Sequence, residues 1–375
     1  MSAAIARIEA FVYRYPVQTP VRTSFGTMHE RPACFVRVED RDGAEGWGEV
    51  WCNFPDVGAE HRARLLQSVF AALLEGVDPA DPPAVMRQLT ERTAVLAIQC
   101  GEYGPIHQCI AGIDTALWDL KARRAGQPLW RMLGGTSPRI RAYASGINPL
   151  GCDRSALAAR EQGYRAFKLK VGFGDDDDIG NLRLMRAALG PDATLMVDAN
   201  QGWDLEAAKR MVRRMAEFDL AWLEEPLRAD RPWSEWQQLA RESEVALAGG
   251  ENVVGFNAFD EAIAANAFAV IQPDVAKWGG ITGCLDVARR ALKAGRRYCP
   301  HYLGGGIGLL ASAHLLAAAG GDGMLEVDAN PNPLRTMTAG AASRVDDGVI
   351  TLDETPGLGA SLDPRALEPF LARTQ

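Results

Sequence analysis

Residues Arg165–Gly172 read RAFKLKVG, with Phe167, Leu169 and Val171 alternating with Lys168 and Lys170. Successive side chains of a strand point to opposite faces. The two lysines therefore share one face, and the three apolar residues share the other. Two ammonium groups within an otherwise apolar strand are costly unless anionic groups stand beside them. The stretch asks for carboxylates on neighbouring strands.

Those carboxylates are supplied by a regular series. Eight short apolar runs alternate with amphipathic helical patterns between about residues 140 and 330. They are RAYAS (Arg141–Ser145), AFKLKV (Ala166–Val171), TLMVDAN (Thr194–Asn200), AWLEEPL (Ala221–Leu227), LAGGEN (Leu247–Asn252), VIQPDVA (Val270–Ala276), RRYCPH (Arg296–His301) and MLEVDAN (Met324–Asn330). Repeated β-α alternation predicts a parallel sheet covered by helices, and eight units of this length predict an α/β fold, the (β/α)8 TIM-type barrel. From the second run to the eighth, each carries one titratable residue near its end: Lys170, Asp198, Glu224, Glu251, Asp274, His301 and Glu326, separated by 28, 26, 27, 23, 27 and 25 residues. Active sites of such barrels lie at the C-terminal ends of the strands. Helix capping explains an isolated Asp or Glu, but not lysine and histidine in the same register.

The flanks read differently. ACFVRVEDRDGAEGWGEV predicts a hairpin turning at Asp42-Gly43. From about residue 60 to 125 the pattern is helical, with Ile106, Ile110, Ile113, Leu117 and Leu120 on one face and a stop near Gly126 and Pro128. The expected organisation is an α+β capping domain over 1–130, a barrel over 131–345, and a segment 346–375 that returns to the cap. GVITLDETPGLGASLD, in that last segment, reads as a hairpin-like return. The run GDDDD (Gly174–Asp178) suits a solvated helix start, where acids favour the dipole. Residues around Leu309–Ala319 read as a short buried helix carrying His314.

Composition bounds the function. The chain has 375 residues, is 47% hydrophobic and carries a net charge of -8, which argues against nucleic acid as the main partner. Cys34, Cys52, Cys100, Cys109, Cys152, Cys284 and Cys299 are scattered and form no C-x-x-C pair. A zinc site or disulfide framework is not expected, and a reducing cytoplasm is. No secretory signal and no membrane-spanning run are read in the sequence.

Asp198, Glu224 and Glu251 come from three successive strands. Neighbouring carboxylates repel unless a cation lies between them, and an all-oxygen set favours Mg2+, with Mn2+ next. Separate surface acids are the plainer alternative. Lys170 is a candidate amine base, since Lys168 and a metal beside it disfavour a second positive charge. Pairing of both lysines with the acids is the alternative. His301 is a candidate for the opposite face, with Asp274 one strand earlier to fix its tautomer. Asn200, two residues after Asp198, could bond a substrate hydroxyl or serve a turn. His61, His107 and His314 have no such context.

KLK (Lys168–Lys170), VDAN (Asp198), EEP (Glu224), GGEN (Glu251), QPDVAKWGG (Gln272–Gly280) and PH (His301), in that order, resemble the enolase superfamily and in particular its mandelate racemase subgroup. GIDTALWDLKARRAGQPLWRMLGG (Gly112–Gly135) resembles the segment joining cap to barrel in that family. The resemblance covers nearly the whole chain. It implies a modified, enolase-like barrel under an α+β cap, Mg2+, a small carboxylate substrate and a homo-oligomer from dimer to octamer. It implies removal of the proton next to a carboxylate, giving an enediolate. Lys168 and the metal would neutralise the carboxylate. Glu326 would donate a hydrogen bond to it from a protonated carboxyl, so a raised pKa is expected. Lys277 matches a subgroup position without a defined role. His29, in TSFGTMHERP, falls in a glycine-containing cap loop expected to close over the substrate. Dehydration of an acid sugar is the favoured outcome, with racemisation or epimerisation as the alternative and a non-catalytic metal-binding protein as a further one. EVWCNFP (Glu49–Pro55) is rather apolar and keeps a less polar substrate open.

Overall fold

The computed structural model describes residues 3–23, 26–360 and 362–372. Strands β1 (Ile5–Thr23), β2 (Gly26–Asp40) and β3 (Glu45–Val50) form an antiparallel sheet in that order. The β2–β3 turn lies where Asp42-Gly43 places it, because Gly43 adopts φ 79° and Asp40 Oδ1 accepts from the amides of Asp42 and Ala44 at 3.0 and 3.1 Å. Most of TSFGTMHERP is strand, the end of β1 and the start of β2, and not a free loop. Ser24 and Phe25 lie outside the described residues.

Helix Tyr103–Arg124 lies directly on β3. A Cβ on Gly46 would stand 2.1 Å from the Ala116 carbonyl oxygen, and one on Gly48 would stand 2.0 Å from that of Gly112. Only glycine permits this approach. Ile106, Ile110, Ile113, Leu117 and Leu120 are all buried on the helix, in a core shared with Val36, Val38 and Phe70. The helix Pro82–Cys100 beside it starts with proline after Asp81, whose side chain accepts from the Ala84 amide at 3.2 Å, and stops at left-handed Gly101.

The eight predicted runs are all strands: β4 (Arg139–Ile147), β5 (Ala166–Lys170), β6 (Thr194–Asp198), β7 (Leu220–Glu224), β8 (Leu247–Gly249), β9 (Val270–Ile271), β10 (Arg297–Tyr298) and β11 (Met324–Asp328). They pair in parallel in the order β10-β9-β8-β7-β6-β5-β4-β11, a nearly closed barrel. Helices follow the first seven strands, and a single turn, Pro333–Thr336, follows β11. The acidic run Asp175–Asp178 forms the first turn of helix Asp175–Leu189.

The tail makes its first contact with the barrel, not the cap. β12 (Val349–Thr351) pairs antiparallel with β4. Further on, the Leu358 amide donates to Asp119 Oδ1 at 2.7 Å, and the Ala372 amide donates to the Val12 carbonyl at 2.8 Å, which ties the chain back to the cap. Among the described residues, no helix is long and apolar enough to cross a membrane.

The strand period of two sorts the barrel interior into layers. Tyr143, Ala166, Met196, Trp222, Ala248, Val270, Cys299 and Met324 form an apolar floor, in which Tyr143 and Trp222 meet edge-on at 5.5 Å. Two residues further along their strands come Ser145, Lys168, Asp198, Glu224 and Glu326, all buried. Phe167, Leu169 and Val171 lie in the large core between strands and helices.

Candidate active site

Strand register sets the ionic layer. Lys170 pairs with Asp198 across β5–β6, Asp198 pairs with Glu224 across β6–β7, and Asp274 bridges to His301 beyond β9 and β10. Lys168 is fully buried with its Nζ 2.5 Å from Glu224, 2.7 Å from Glu326 and 3.9 Å from Asp198. Burial disfavours its charge, but Glu224 and Glu326 outweigh that and hold its pKa well above the ordinary lysine value. Lys170 donates to Asp198 Oδ2 at 2.6 Å and to Asn200 Oδ1 at 2.7 Å. Both lysines therefore contact the acids, and Lys170 also lines an open cavity.

His301 Nδ1 lies 2.7 Å from Asp274 Oδ2. Asp274 Oδ1 is taken by the amides of Ala276 and Lys277 at 2.8 and 3.1 Å, so its other oxygen is free to accept from the ring. This fixes the tautomer with hydrogen on Nδ1 and turns Nε2 towards Glu251. Burial lowers the His301 pKa, but Glu251, Glu326 and Asp274 together raise it well above the ordinary value.

Glu326 departs from expectation. Burial pushes its pKa up, but Lys168, then His301, and the Ser145 hydroxyl at 2.5 Å bring it down to about 2. Its other oxygen accepts from the Tyr302 amide at 2.9 Å. Lys168 and Ser145 at one oxygen and the Tyr302 amide at the other favour the ionised carboxyl, so the pKa shift runs opposite to the rise that the resemblance implies.

The acids fit a divalent cation. Among the described residues, the cations that Asp198, Glu224, Glu225, Glu251, Asp274 and Glu326 face are Lys168, Lys170, Lys277 and His301. Carboxylates outnumber cations, and the excess shows: burial, together with Asp198 and Glu326, raises Glu224 to about 7 against the pull of Lys168. Burial and Glu251 raise Glu225 well above the carboxylate range. Glu251 Oε2 is buried and, among the described residues, has only His301 Nε2 against it. Ligand-capable atoms of Glu224, Glu251 and His301 lie within 4.8 Å of one another. Asp198 is outside that trio; its Oδ1 accepts from the Asn200 amide and its Oδ2 from Asn200 and Lys170.

Above this layer lies a cavity of about 280 Å³. Lys170, Asn200, Glu251, Lys277 and His301 line it from the barrel, and Val21, Met28, Arg31, Trp51 and Asn53 line it from the cap. Lys277 Nζ stands 3.2 Å from both Glu251 and Asn252 and 4.9 Å from the Trp51 ring centre. Asn200 holds φ 43° while bonding Asp198, so it is both a turn residue and a cavity residue. His29 is exposed on β2 and faces a neighbouring crevice with Arg14, Glu30 and Asp56 instead of this cavity. His314 is structural: Nδ1 accepts from the Trp130 amide at 2.8 Å, and Nε2 stands 3.1 Å from the Leu358 carbonyl.

Sequence reading missed several members. Ser145 and Gln272 face inward two residues from positions whose orientation the strand period fixes, and Gln272 donates to Glu224 Oε2 at 2.7 Å. Asn252 donates to both oxygens of Glu225, at 3.0 and 2.8 Å. Glu49 of the cap accepts from the amides of Gly305 and Gly308 at 2.6 and 2.9 Å, and Asn53 donates to the Leu303 carbonyl at 2.6 Å. These cap residues hold the segment that follows His301. Nothing in the spacing of the cap sequence signals such long-range partners.

Residues 7–134 match the N-terminal domain of the mandelate racemase / muconate lactonizing enzyme family, and residues 152–366 match the enolase C-terminal domain-like family. A crystal structure of a mandelate racemase/muconate lactonizing enzyme from Bordetella bronchiseptica RB50 is 55% identical, with a TM-score of 0.94 over 98% of this chain and 99% of that one. A D-galactarolactone cycloisomerase from Agrobacterium fabrum is 30% identical, with 98% of each chain covered. A crystal structure of a mutant L-talarate/galactarate dehydratase liganded with Mg and L-glucarate is 30% identical, with a TM-score of 0.87 over 98% of this chain and 92% of that one.

Proposed function

This chain belongs to the mandelate racemase / muconate lactonizing enzyme family of the enolase superfamily, and on that premise we propose that it removes the proton α to a carboxylate and dehydrates an acid sugar or a related small hydroxy acid. One observation carries the reading. Lys170 and the Asp274-backed His301 line the same cavity from strands on either side of β4 and β11, with Asp198, Glu224 and Glu251 along the opposite arc.

Asp198, Glu224 and Glu251 would hold Mg2+, which supplies polarisation of the substrate carboxylate when bound. Lys168, kept positive by Glu224 and Glu326, supplies a fixed charge where the substrate becomes more negative. Lys170 Nζ takes the α-proton, leaving the electron pair in the enediolate. His301, protonated on both nitrogens, gives the Nε2 proton to the β-hydroxyl. The C–O bond then breaks, and the hydroxyl leaves as water. Asp274 keeps the ring oriented throughout. The dehydratase relative, with its acid-sugar ligand, supports this outcome.

Racemisation or epimerisation is the second reading, favoured by the placement of two proton-handling groups on separate sides of one cavity. The cycloisomerase relative keeps isomerisation within reach of the same equipment. Our proposal also includes a cap over 1–130, a barrel over 131–345 and a tail over 346–375, assembled as a homo-oligomer in the cytoplasm. All seven cysteines are free, as a reducing compartment favours.

Incubating the protein and Mg2+ with a stereochemically complete panel of aldonic and aldaric acids tests the outcome. Dehydration gives a 2-keto-3-deoxy acid that reacts with semicarbazide. Inversion without any keto acid would replace this reading with the second one.

A further inference from the structure

Arg31 reaches from β2 into the cavity wall and is 3% exposed. Its Nη2 donates to Asp328 Oδ2. Among the described residues, its Nη1 has only the Met28 thioether, 3.9 Å away, and its Nε is buried with no hydrogen-bond partner. A guanidinium carries five N–H donors, and buried donors without acceptors are costly. The surroundings offer no further acceptor from Asp328: its Oδ1 accepts from the Asn330 amide and side chain at 3.0 and 2.8 Å. Arg335 Nη1 also stands 3.7 Å from Asp328 Oδ2. One carboxylate thus serves two guanidiniums, which leaves a net positive charge.

The position of this pair gives it a role. Asp328 ends β11, which pairs with β4, whereas Asp198, Glu224 and Glu251 belong to β6, β7 and the end of β8. The pair and the acids lie on opposite arcs of the barrel mouth. Resting on the proton-abstraction reading of this cavity, a substrate whose carboxylate sits over the acids would extend towards Arg31. We propose that Arg31 recognises an acceptor oxygen on the substrate carbon remote from the reacting carboxylate, and so sets a preference for oxygen-rich acids over alkyl or aryl acids. Asp328 and Arg335 are positioning residues that hold the guanidinium in place.

The test uses matched acids that differ only at the remote carbon, which bears a hydroxyl, a carboxylate or a methyl group. Binding to the Mg2+-loaded protein is read by calorimetry, and α-proton exchange is followed separately. Wild type is expected to bind the better oxygenated member roughly tenfold to hundredfold more tightly than the methyl member. The tighter of the hydroxyl and carboxylate members identifies which oxygen is read. Arg31→Met should remove the discrimination by weakening the oxygenated acids while leaving the methyl acid within about twofold. Asp328 keeps Arg335 and Asn330 in that variant. Should Arg31→Met fail to fold, Arg31→Lys keeps a charge beside Asp328 and is expected to weaken the discrimination. No discrimination in wild type, unchanged discrimination in the variants, or an equal loss on all three acids overturns the proposal. Because binding needs no turnover, absence of proton exchange would sink the reaction and still leave Arg31 tested.

Discussion

Lys168 and Lys170 stand two residues apart on one strand and meet different partners. Lys168 is locked between Glu224 and Glu326, whereas Lys170 touches Asp198 and Asn200 and opens to the cavity. The account therefore gives them separate work: a fixed charge and a mobile proton. Lys170→Ala and His301→Asn should each lower α-proton exchange by about 10²–10⁴-fold, each on the substrate epimer whose hydrogen faces it. Exchange unchanged on both epimers in both variants would refute the assignment. At this scale, the strand period was enough to place both lysines on one face, and the regular spacing of titratable run ends picked out Asp198, Glu224, Glu251, Asp274, His301 and Glu326, although Glu251 lies past the end of β8 and outside its period. It could not foresee the lowered pKa of Glu326, which depends on Lys168 from β5, Ser145 from β4 and His301 from beyond β10. His29 was singled out for its place in a glycine-containing cap stretch expected to close over the substrate, but it stands on β2 and lines a neighbouring crevice.

Among the elements, the barrel strands were legible because seven of the eight couple an apolar run to a titratable end. The run reads clearly even where the strand itself is two residues long, as in β9 and β10. The cap hairpin was legible at Asp42-Gly43, where turn chemistry is local, and not at TSFGTMHERP, where strand pairing overrides a glycine. Helix Gly306–Ala319 shows the same contrast. Its apolar composition predicts burial, but its anchoring depends on Glu49 from the cap at one end and on His314 further along. Burial lowers the His314 pKa from 6.5 to about 4. The unfolded chain then binds more protons than the folded one between those values. Stability is fully present above pH 6.5 and is lost as pH falls towards 4. The stability difference between wild type and His314→Gln should shrink by about 2 kcal/mol between pH 7 and pH 5, measured by urea denaturation. A difference that stays constant with pH would contradict this.

For the molecule as a whole, the barrel supplies the charged layer and the cap closes it. Glu49, Asn53, Trp51 and Arg31 come from the first sixty residues and meet side chains or backbone of residues 277–328. The order of motifs along the chain made the barrel and its acids readable. The cap's contribution was not readable, because contacts spanning more than two hundred residues leave no periodic trace in the sequence. The tail that joins the two was read as returning to the cap, yet it first adds β12 to the barrel. The central claim is that this assembly takes the α-proton from a carboxylate with Mg2+ in place. Proton NMR in deuterated water, with an acid shown to bind, tests it most directly. The account predicts loss of the α-proton signal with Mg2+, arrest of that loss on addition of EDTA, and its return when Mg2+ is restored. A bound acid that keeps its α-proton in the presence of Mg2+ would contradict it.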